Sequence, residues 1–561
     1  MTTQSGHRQP NWVRLLPCTA ALAALAVAAL PTLLYPLTRD QGAYAYIANL
    51  MMKGGVPYRD ALDLKPPAVY LAYGLAFALF GRSEFAIRLF DVLYALVSGA
   101  SIYLLAHEVF QDRRISALSA WIYAFCYYLW IHFYAVANPE SFMVPVLTTS
   151  VLGTVRALRA PSKNALFLTG VAGGFAFWFK PTAAVVVLAA LAWMVIKMWQ
   201  EQRRMSPVLR NFTFVILGGL LGLLPIGLYL YGHGLRELIE LWRDYGTGAY
   251  LGARGLALGE GPLAVLDVIM GYVRHWQLLV WLSLAGMSGI LMRHERYGGG
   301  GAVVVYLVST LAATLAQGKL FEYHWIPVLA PAAILAAIAL AGLASEVSGP
   351  SKNLLRTQLS AWRDTDMRTL FAAIVLVGLL LWTGYDQLAR YRQMAAYLAG
   401  RMSEEQYYAQ FDIGTDFSRM GTLRAAAYLR EHTEPDETVL IWGAEPLVHF
   451  LAQRRSATKY IFSYMLVGDD GSPRLKARRQ DFLDDVRKAE PAYVVLVERD
   501  ITPLTPAGSL AQLDEFPAFK ILLGTAYYRD AQVEDYLFYR RKARDRASFV
   551  TSDEESFICQ G

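Results

Sequence analysis

Long apolar runs dominate the chain, and polar residues gather between them. A hydrocarbon core about 30 Å thick needs roughly 20 apolar residues in a helix. Such runs predict eleven spans, near 12–34, 84–108, 115–135, 141–156, 164–179, 182–198, 211–231, 275–292, 301–317, 324–343 and 369–386. The apolar run at 67–80 is too short to cross and is expected at the interface or as a re-entrant piece. His7, Arg8 and Arg14 precede the first run, which reads as an uncleaved span with its N-terminus in the cytoplasm. On that orientation the basic groups Arg113 and Arg114; Arg156, Arg159 and Lys163; Lys197, Arg203, Arg204 and Arg210; Arg293 and Arg296; and Lys352, Arg356, Arg363 and Arg368 all face the cytoplasm. Positive charge inside is the expected bias.

Two large outer loops result, 35–83 and 232–274. In the first, Ala43 to Met52 reads as a short amphipathic interfacial helix, stopped by Gly54 and Gly55. From about residue 387 charges become frequent and apolar runs shorten. A helix is expected over 403–432, with Leu423, Ala427 and Leu429 on one face. Strands are expected at Thr438–Trp442, Ala492–Glu498 and Tyr536–Arg541, and helices from Pro446 to Gln453 and over 478–489. Strands alternating with helices predict a small α/β domain. The expected organisation is therefore an α-helical polytopic membrane domain, 1–386, and a C-terminal α/β domain, 387–561, which an odd number of spans places outside the cell.

Composition agrees. Of 561 residues, 55% are hydrophobic and 17% charged, against about 25% charged in average soluble domains. A disordered chain is excluded, and the figures argue against an ordinary soluble enzyme. The net charge of +6 is spread along the chain, so it makes no nucleic-acid footprint. Cys18, Cys126 and Cys559 form neither a disulfide framework nor a CxxC metal site. No Walker A or GxGxxG pattern is present, so no nucleotide is assigned.

Charges beside a membrane are costly and need a reason. Asp40 opens the dense run RDQGAYAYIANLMMKGGVPYRDALDLKPP, which also carries Asp60, Asp63 and Lys65. Glu140, in Asn138-Pro139-Glu140, falls on the same membrane face by topology. Two carboxylates at one mouth suit general-base chemistry, one as base and the other orienting an acceptor or helping to hold a divalent cation. A helix cap or interfacial ion pair is the structural alternative for each. Lys65, Arg82, Arg88, Lys180, Lys319 and His324 form an outer cationic group that runs against the positive-inside bias. They suit an anionic, lipid-linked phosphate; snorkelling and local pairing, such as Lys319 with Glu322, is the structural alternative.

This constellation resembles the GT-C superfamily of polytopic glycosyltransferases, above all the bacterial branch related to protein O-mannosyltransferases and the aminoarabinose transferase of lipid A. The resemblance rests on Asp40, on Tyr44 and Tyr46, on the turn from Gly54 to Tyr58, on Lys65-Pro66-Pro67, on Phe80 to Arg88, on Glu140, and on KLFEYHWIP from Lys319 to Pro327. Gln41 stands where many relatives have a second acidic residue, and Leu64 where the aminoarabinose enzyme has Glu; Asp63 is displaced by one. The resemblance implies an inverting transferase in a bacterial inner membrane. It would move a sugar from a polyprenyl-phosphate carrier to an extracytoplasmic acceptor, which could be protein, lipid or envelope glycan. Asp40 and Glu140 are then the catalytic pair. Lys65, Arg88, Lys319 and His324 would bind the donor phosphate, and Tyr44, Tyr58, Asp63 and Tyr323 would line the substrate pocket. A divalent metal at Asp40 and Glu140 is the one cofactor the pair suggests. Membrane lipids and the lipid-linked sugar are the expected partners, and nucleic acid is not. A lipid or glycan flippase is the alternative, although neither internal symmetry nor mid-membrane polar breaks support it.

Overall fold

In the computed structural model the described residues are 19, 22–23 and 25–543, apart from 161, 203–204, 244–260, 293–298, 348–384, 386, 415, 468–472 and 503–506. Contacts divide the chain into two compact units, Met1–Met420 and Gly421–Gly561.

The first unit is helical. Among the described residues five helices are long and apolar enough to cross a membrane: Glu84–Phe110, Pro139–Arg159, Ala183–Gln200, Asn211–His233 and Glu322–Gly342. A sixth arises if Leu263–His275 and Gln277–Met292, bent by 86° at their junction, make one span. Other expected spans are shorter. Residues 115–135 become the helix Arg113–Phe125 and a π turn, Cys126–Trp130, after which the chain unwinds. The run at 164–179 becomes Lys163–Phe177 and the run at 301–317 becomes Gly301–Leu315. Of the first span only its end is seen, as Leu25–Leu34. The span at 369–386, nearly all of it, and the basic residues Arg293, Arg296, Lys352, Arg356, Arg363 and Arg368 lie outside the described residues.

The Lys163–Phe177 and Met205–His233 helices meet backbone to backbone. A methyl group on Gly170 would come within 2.0 Å of the Val215 carbonyl oxygen, and one on Gly218 within 1.9 Å of the Phe167 carbonyl oxygen. Gly174 and Gly222 are similarly crowded. The spacings 170/174 and 218/222 are the small-residue repeat that lets helices approach closely in lipid.

The first outer loop is largely helical. Thr38 and Gln41 form a capping box that starts a helix at Arg39, not at Ala43, and carries it to Met52. Every residue from Gln41 to Ala48 is buried. The expected amphipathic interfacial helix is therefore corrected: its small residues and tyrosines are covered on all sides. At Gly55 there is no room for a side chain, since Leu50 Cγ lies 2.5 Å from where a Cβ would stand. Ala68–Phe80 is a helix of 13 residues. At 1.5 Å per residue it is about 20 Å long and falls short of a bilayer.

The expected continuous helix over 403–432 is broken. Glu404–Tyr408 and Arg419–His432 are separate helices. Between them Gly414 takes a positive φ of 49°, and Asp412 accepts the Arg419 N–H at 2.8 Å. The second helix buries Thr422, Ala425, Ala426 and Leu429; Leu423 and Ala427 are only half-buried.

The second unit holds a five-stranded sheet: β1 (Thr438–Trp442), β2 (Arg455–Ser456), β3 (Tyr493–Val497), β4 (Tyr527–Val533) and β5 (Tyr536–Arg541), ordered β2-β1-β3-β5-β4. β1 pairs in parallel with β2 and β3, and β5 runs antiparallel between β3 and β4. β2 and β4 were not expected; β2 has two residues, and β4 is mostly exposed or half-buried, with little apolar signal. β3 is buried along its whole length, as a central strand requires.

Candidate active site

Asp40 occupies the first turn of the Arg39–Met52 helix, where the helix dipole favours a carboxylate. Its side chain is 39% exposed, and Lys65 Nζ stands 3.9 Å from its Oδ2. Lys65 in turn lies 3.5 Å from the Tyr323 hydroxyl and 5.0 Å from the centre of its ring. Lys180 reaches the same ring at 5.6 Å and donates to Glu140 Oε1. Glu140 is fully buried in the first turn of the Pro139–Arg159 helix. Its other oxygen, Oε2, has no hydrogen-bond partner. His324 Nε2 is 3.9 Å from Glu140 Oε1.

A chain of contacts thus runs Asp40, Lys65, Tyr323, Lys180, Glu140, His324. Tyr44, buried between them, lies within electrostatic reach of Asp40, Asp63, Tyr323 and Glu140 together, and burial with those charges raises its phenol well above the usual range. Two ammonium groups thus lie over the one Tyr323 ring. Such a pair is suited to an anion that gains charge during reaction. Burial lowers the Lys180 ammonium to about 8 despite Glu140. Lys319, buried just ahead of the Glu322–Trp325 turn, is also pushed down to about 8.

Asp63 is buried beneath Lys65 and accepts the Tyr70 hydroxyl at 3.0 Å. Burial raises its carboxyl to about 6, with Lys65 opposing and Asp40 adding. Tyr58, at a φ of 69°, donates to the Lys65 carbonyl at 2.7 Å. Tyr70 donates to the same carbonyl at 3.1 Å. Both phenols therefore fix the backbone of the lysine that faces Asp40.

Arg88 is placed differently from the other cations. Fully buried, it donates to the carbonyls of Tyr35 at 3.1 Å and Phe133 at 3.3 Å, to that of Pro36, and to Gln41 Oε1 at 3.2 Å. Gln41 donates to the carbonyls of Phe133, Tyr134 and Val136. These bonds clamp the unwound stretch after Trp130, where carbonyls have lost their helical partners. Asn138 accepts the Tyr44 hydroxyl at 3.3 Å and so ties that stretch to the Asp40 helix. Glu322, the local partner the alternative reading offered for Lys319, accepts from His132, at 2.9 Å from Nδ1 and 3.2 Å from the main-chain N–H.

The sequence named Lys180 among the outer cations without foreseeing its partner. Its only signal was a lysine set between two apolar runs in Phe179-Lys180-Pro181. As for a metal, Glu140 and Asp40 each face a lysine, and among the described residues no three His, Cys, Asp or Glu side chains converge. This donor set does not fit a divalent ion.

A family described as dolichyl-phosphate-mannose-protein mannosyltransferase matches residues 64–228, which include Lys65, Arg88, Glu140 and Lys180. The undecaprenyl phosphate-α-4-amino-4-deoxy-L-arabinose arabinosyl transferase of Erwinia tasmaniensis is 28% identical over 333 residues, 55% of this chain and 56% of that protein. The transferase of the same name from Pseudomonas aeruginosa strain LESB58 is 31% identical over 328 residues, 54% of this chain and 55% of its own. The aligned region thus spans about half the length of these curated relatives. The crystal structure of ArnT from Cupriavidus metallidurans bound to undecaprenyl phosphate superposes with a TM-score of 0.57 at 14% identity, covering 95% of this chain and 98% of that one. The chain is a polytopic membrane protein with the GT-C fold, and the resemblance to the GT-C superfamily of glycosyltransferases is borne out.

Proposed function

We propose that the protein is an inverting glycosyltransferase that takes a sugar from a polyprenyl-phosphate carrier and passes it to an extracytoplasmic hydroxyl acceptor. The observation that carries this reading is the contact chain from Asp40 through Lys65, Tyr323 and Lys180 to Glu140. The names of the relatives, which act with undecaprenyl-phosphate-linked aminoarabinose, support the donor class.

Asp40, the exposed carboxylate, takes the proton of the acceptor hydroxyl. That oxygen forms a bond to the anomeric carbon as the bond from carbon to the phosphate oxygen breaks on the opposite face. The donor is a phosphodiester with one negative charge, and the departing polyprenyl phosphate gains a second. Lys65 and Lys180, both over the Tyr323 ring, meet that developing charge. Lys319 and His324 stand at the edge of the same turn. Glu140 acts on Lys180, fixing its ammonium, and Arg88 acts on the backbone beneath. Tyr44, Tyr58 and Asp63 shape the floor. The N-terminus is cytoplasmic in this reading, and the C-terminal unit, 387–561 on the sequence boundary, lies outside the cell, where acceptors are found.

Purified protein incubated with a panel of polyprenyl-phosphate sugars and a membrane extract should transfer label. Asp40→Asn should cut turnover by about 10²–10⁴ with the melting temperature unchanged. Near-normal turnover in that variant, or transfer from a nucleotide sugar, sinks the assignment.

A further inference from the structure

Asp91 is a buried acid on the apolar helix Glu84–Phe110, and the transfer chemistry does not use it. An ionisable group in such a place is costly unless it is paired. Its partners are two phenols of the π turn: the Tyr127 hydroxyl donates to Oδ1 at 2.7 Å and the Tyr128 hydroxyl to Oδ2 at 3.4 Å. Arg390 holds the same turn by its backbone, donating to the carbonyls of Tyr128 at 2.7 Å and Leu129 at 3.3 Å. Arg88, on the same helix as Asp91, lies within electrostatic reach of it but gives its bonds to the carbonyls of Tyr35, Pro36 and Phe133 and to Gln41.

The contacts continue into the unwound stretch. The Tyr127 hydroxyl accepts the Ala137 N–H at 3.2 Å, and the Tyr73 hydroxyl donates to the Ala137 carbonyl at 3.0 Å. Both backbone groups of Ala137 are thus bonded to buried phenols. Ala137 has a φ of 57°, in the left-handed region that a residue with a Cβ disfavours. Asn138, the next residue, is the N-cap of the Pro139–Arg159 helix, and Glu140 lies in its first turn. The direction in which the chain leaves Ala137 therefore sets where Glu140 stands, and Glu140 receives the Lys180 ammonium.

We propose that Asp91 is a positioning residue: through the Tyr127 hydroxyl it holds Ala137 in its left-handed turn, and so places Glu140 against Lys180. The proposal rests on the transfer reaction assigned above, in which Lys180 meets the donor phosphate.

Tyr127→Phe keeps the ring and removes the hydroxyl. With Glu140 displaced, Lys180 loses a carboxylate that favours its charge. Of the groups that still face it, Lys65 opposes the charge, Asp40 favours it, and His324 and the Tyr323 ring lie beside it. Lys180 loses its charge near pH 8 in the wild type. The rise of donor KM with pH should begin about one unit lower in Y127F, which makes KM about threefold higher at pH 7.5. Asp91→Leu, which offers the phenol no acceptor, should shift the onset in the same direction, and Asp91→Asn, which keeps an oxygen, should shift it less. Glycine takes a positive φ freely, so the double variant Y127F/A137G should move the onset back toward the wild type. A Y127F profile that overlays the wild type, or a double variant no nearer to it than the single, overturns the proposal. Should Asp91→Leu fail to fold, Y127F and its double variant still decide. The same onset can be read without turnover, from the pH dependence of undecaprenyl phosphate binding in detergent. If the wild type moves no sugar from any donor while Y127F shifts that binding onset, the transfer reading fails and the positioning role stands.

Discussion

At Asp63 and Lys180 burial works against charge, and the two respond to pH in opposite senses. The carboxyl of Asp63 sits at about 6 in the folded protein, against about 3.9 in an unfolded chain. A raised acid binds its proton more tightly when folded. The stability this contributes is complete below about pH 4 and is lost as pH rises through about 6. Two units correspond to about 3 kcal/mol at most. Asp63→Asn should therefore melt higher than wild type at pH 7.5 and equally at pH 4, which thermal unfolding in detergent checks. Lys180 loses its charge above about pH 8. Donor KM should climb as pH rises beyond that value, by up to about tenfold per unit. Lys180→Arg, which stays charged, should flatten the climb. A pH-independent KM in the wild type would remove Lys180 from phosphate binding.

Between elements the decisive contacts are backbone to backbone. The Lys163–Phe177 and Met205–His233 helices approach so closely at Gly170 and Gly218 that one added methyl overlaps a carbonyl oxygen. Gly218→Ala should destabilise the membrane unit by about 1–3 kcal/mol, whereas Gly271→Ala, where nothing lies within 4 Å, should not; paired melting curves decide. The clamp of Arg88 and Gln41 on residues 133–136 belongs to this scale as well. Arg88→Met leaves carbonyls in a fully buried site without a donor, each worth about 1–3 kcal/mol. It should lower the melting point more than Lys65→Met, whose ammonium is partly exposed.

For the molecule as a whole the orientation carries the functional reading, since acceptor and lipid-linked donor must meet on one face. Lys520, exposed in the second unit, offers a test. With Cys18 and Cys559 replaced by serine, Lys520→Cys should react with a membrane-impermeant thiol reagent in intact cells. The remaining Cys126 is buried and should stay silent. Labelling only after lysis would place the C-terminal unit inside and reverse the assignment of every outer loop.

The sequence by itself determined that this is a helical membrane protein with a smaller α/β unit, because transfer of some 20 apolar residues into lipid is a local property that each run carries independently. It also brought out Asp40, Glu140, Lys65 and Tyr323, since charges and phenols beside apolar runs stand out wherever they point. Other features were settled only in three dimensions. Lys180 acquires its meaning from Glu140, forty residues away, and from a tyrosine it shares with Lys65. Arg88 looks like a headgroup ligand in sequence and becomes a backbone clamp once residues 131–138 unwind beside it. The supposed helix over 403–432 breaks because Asp412 and Gly414 favour a turn whose Phe411 and Asp416 find partners in the membrane unit. Helix period and hydropathy register what a residue costs in lipid; they hold no information about which distant group will satisfy it. That pairing is fixed only when the helices pack.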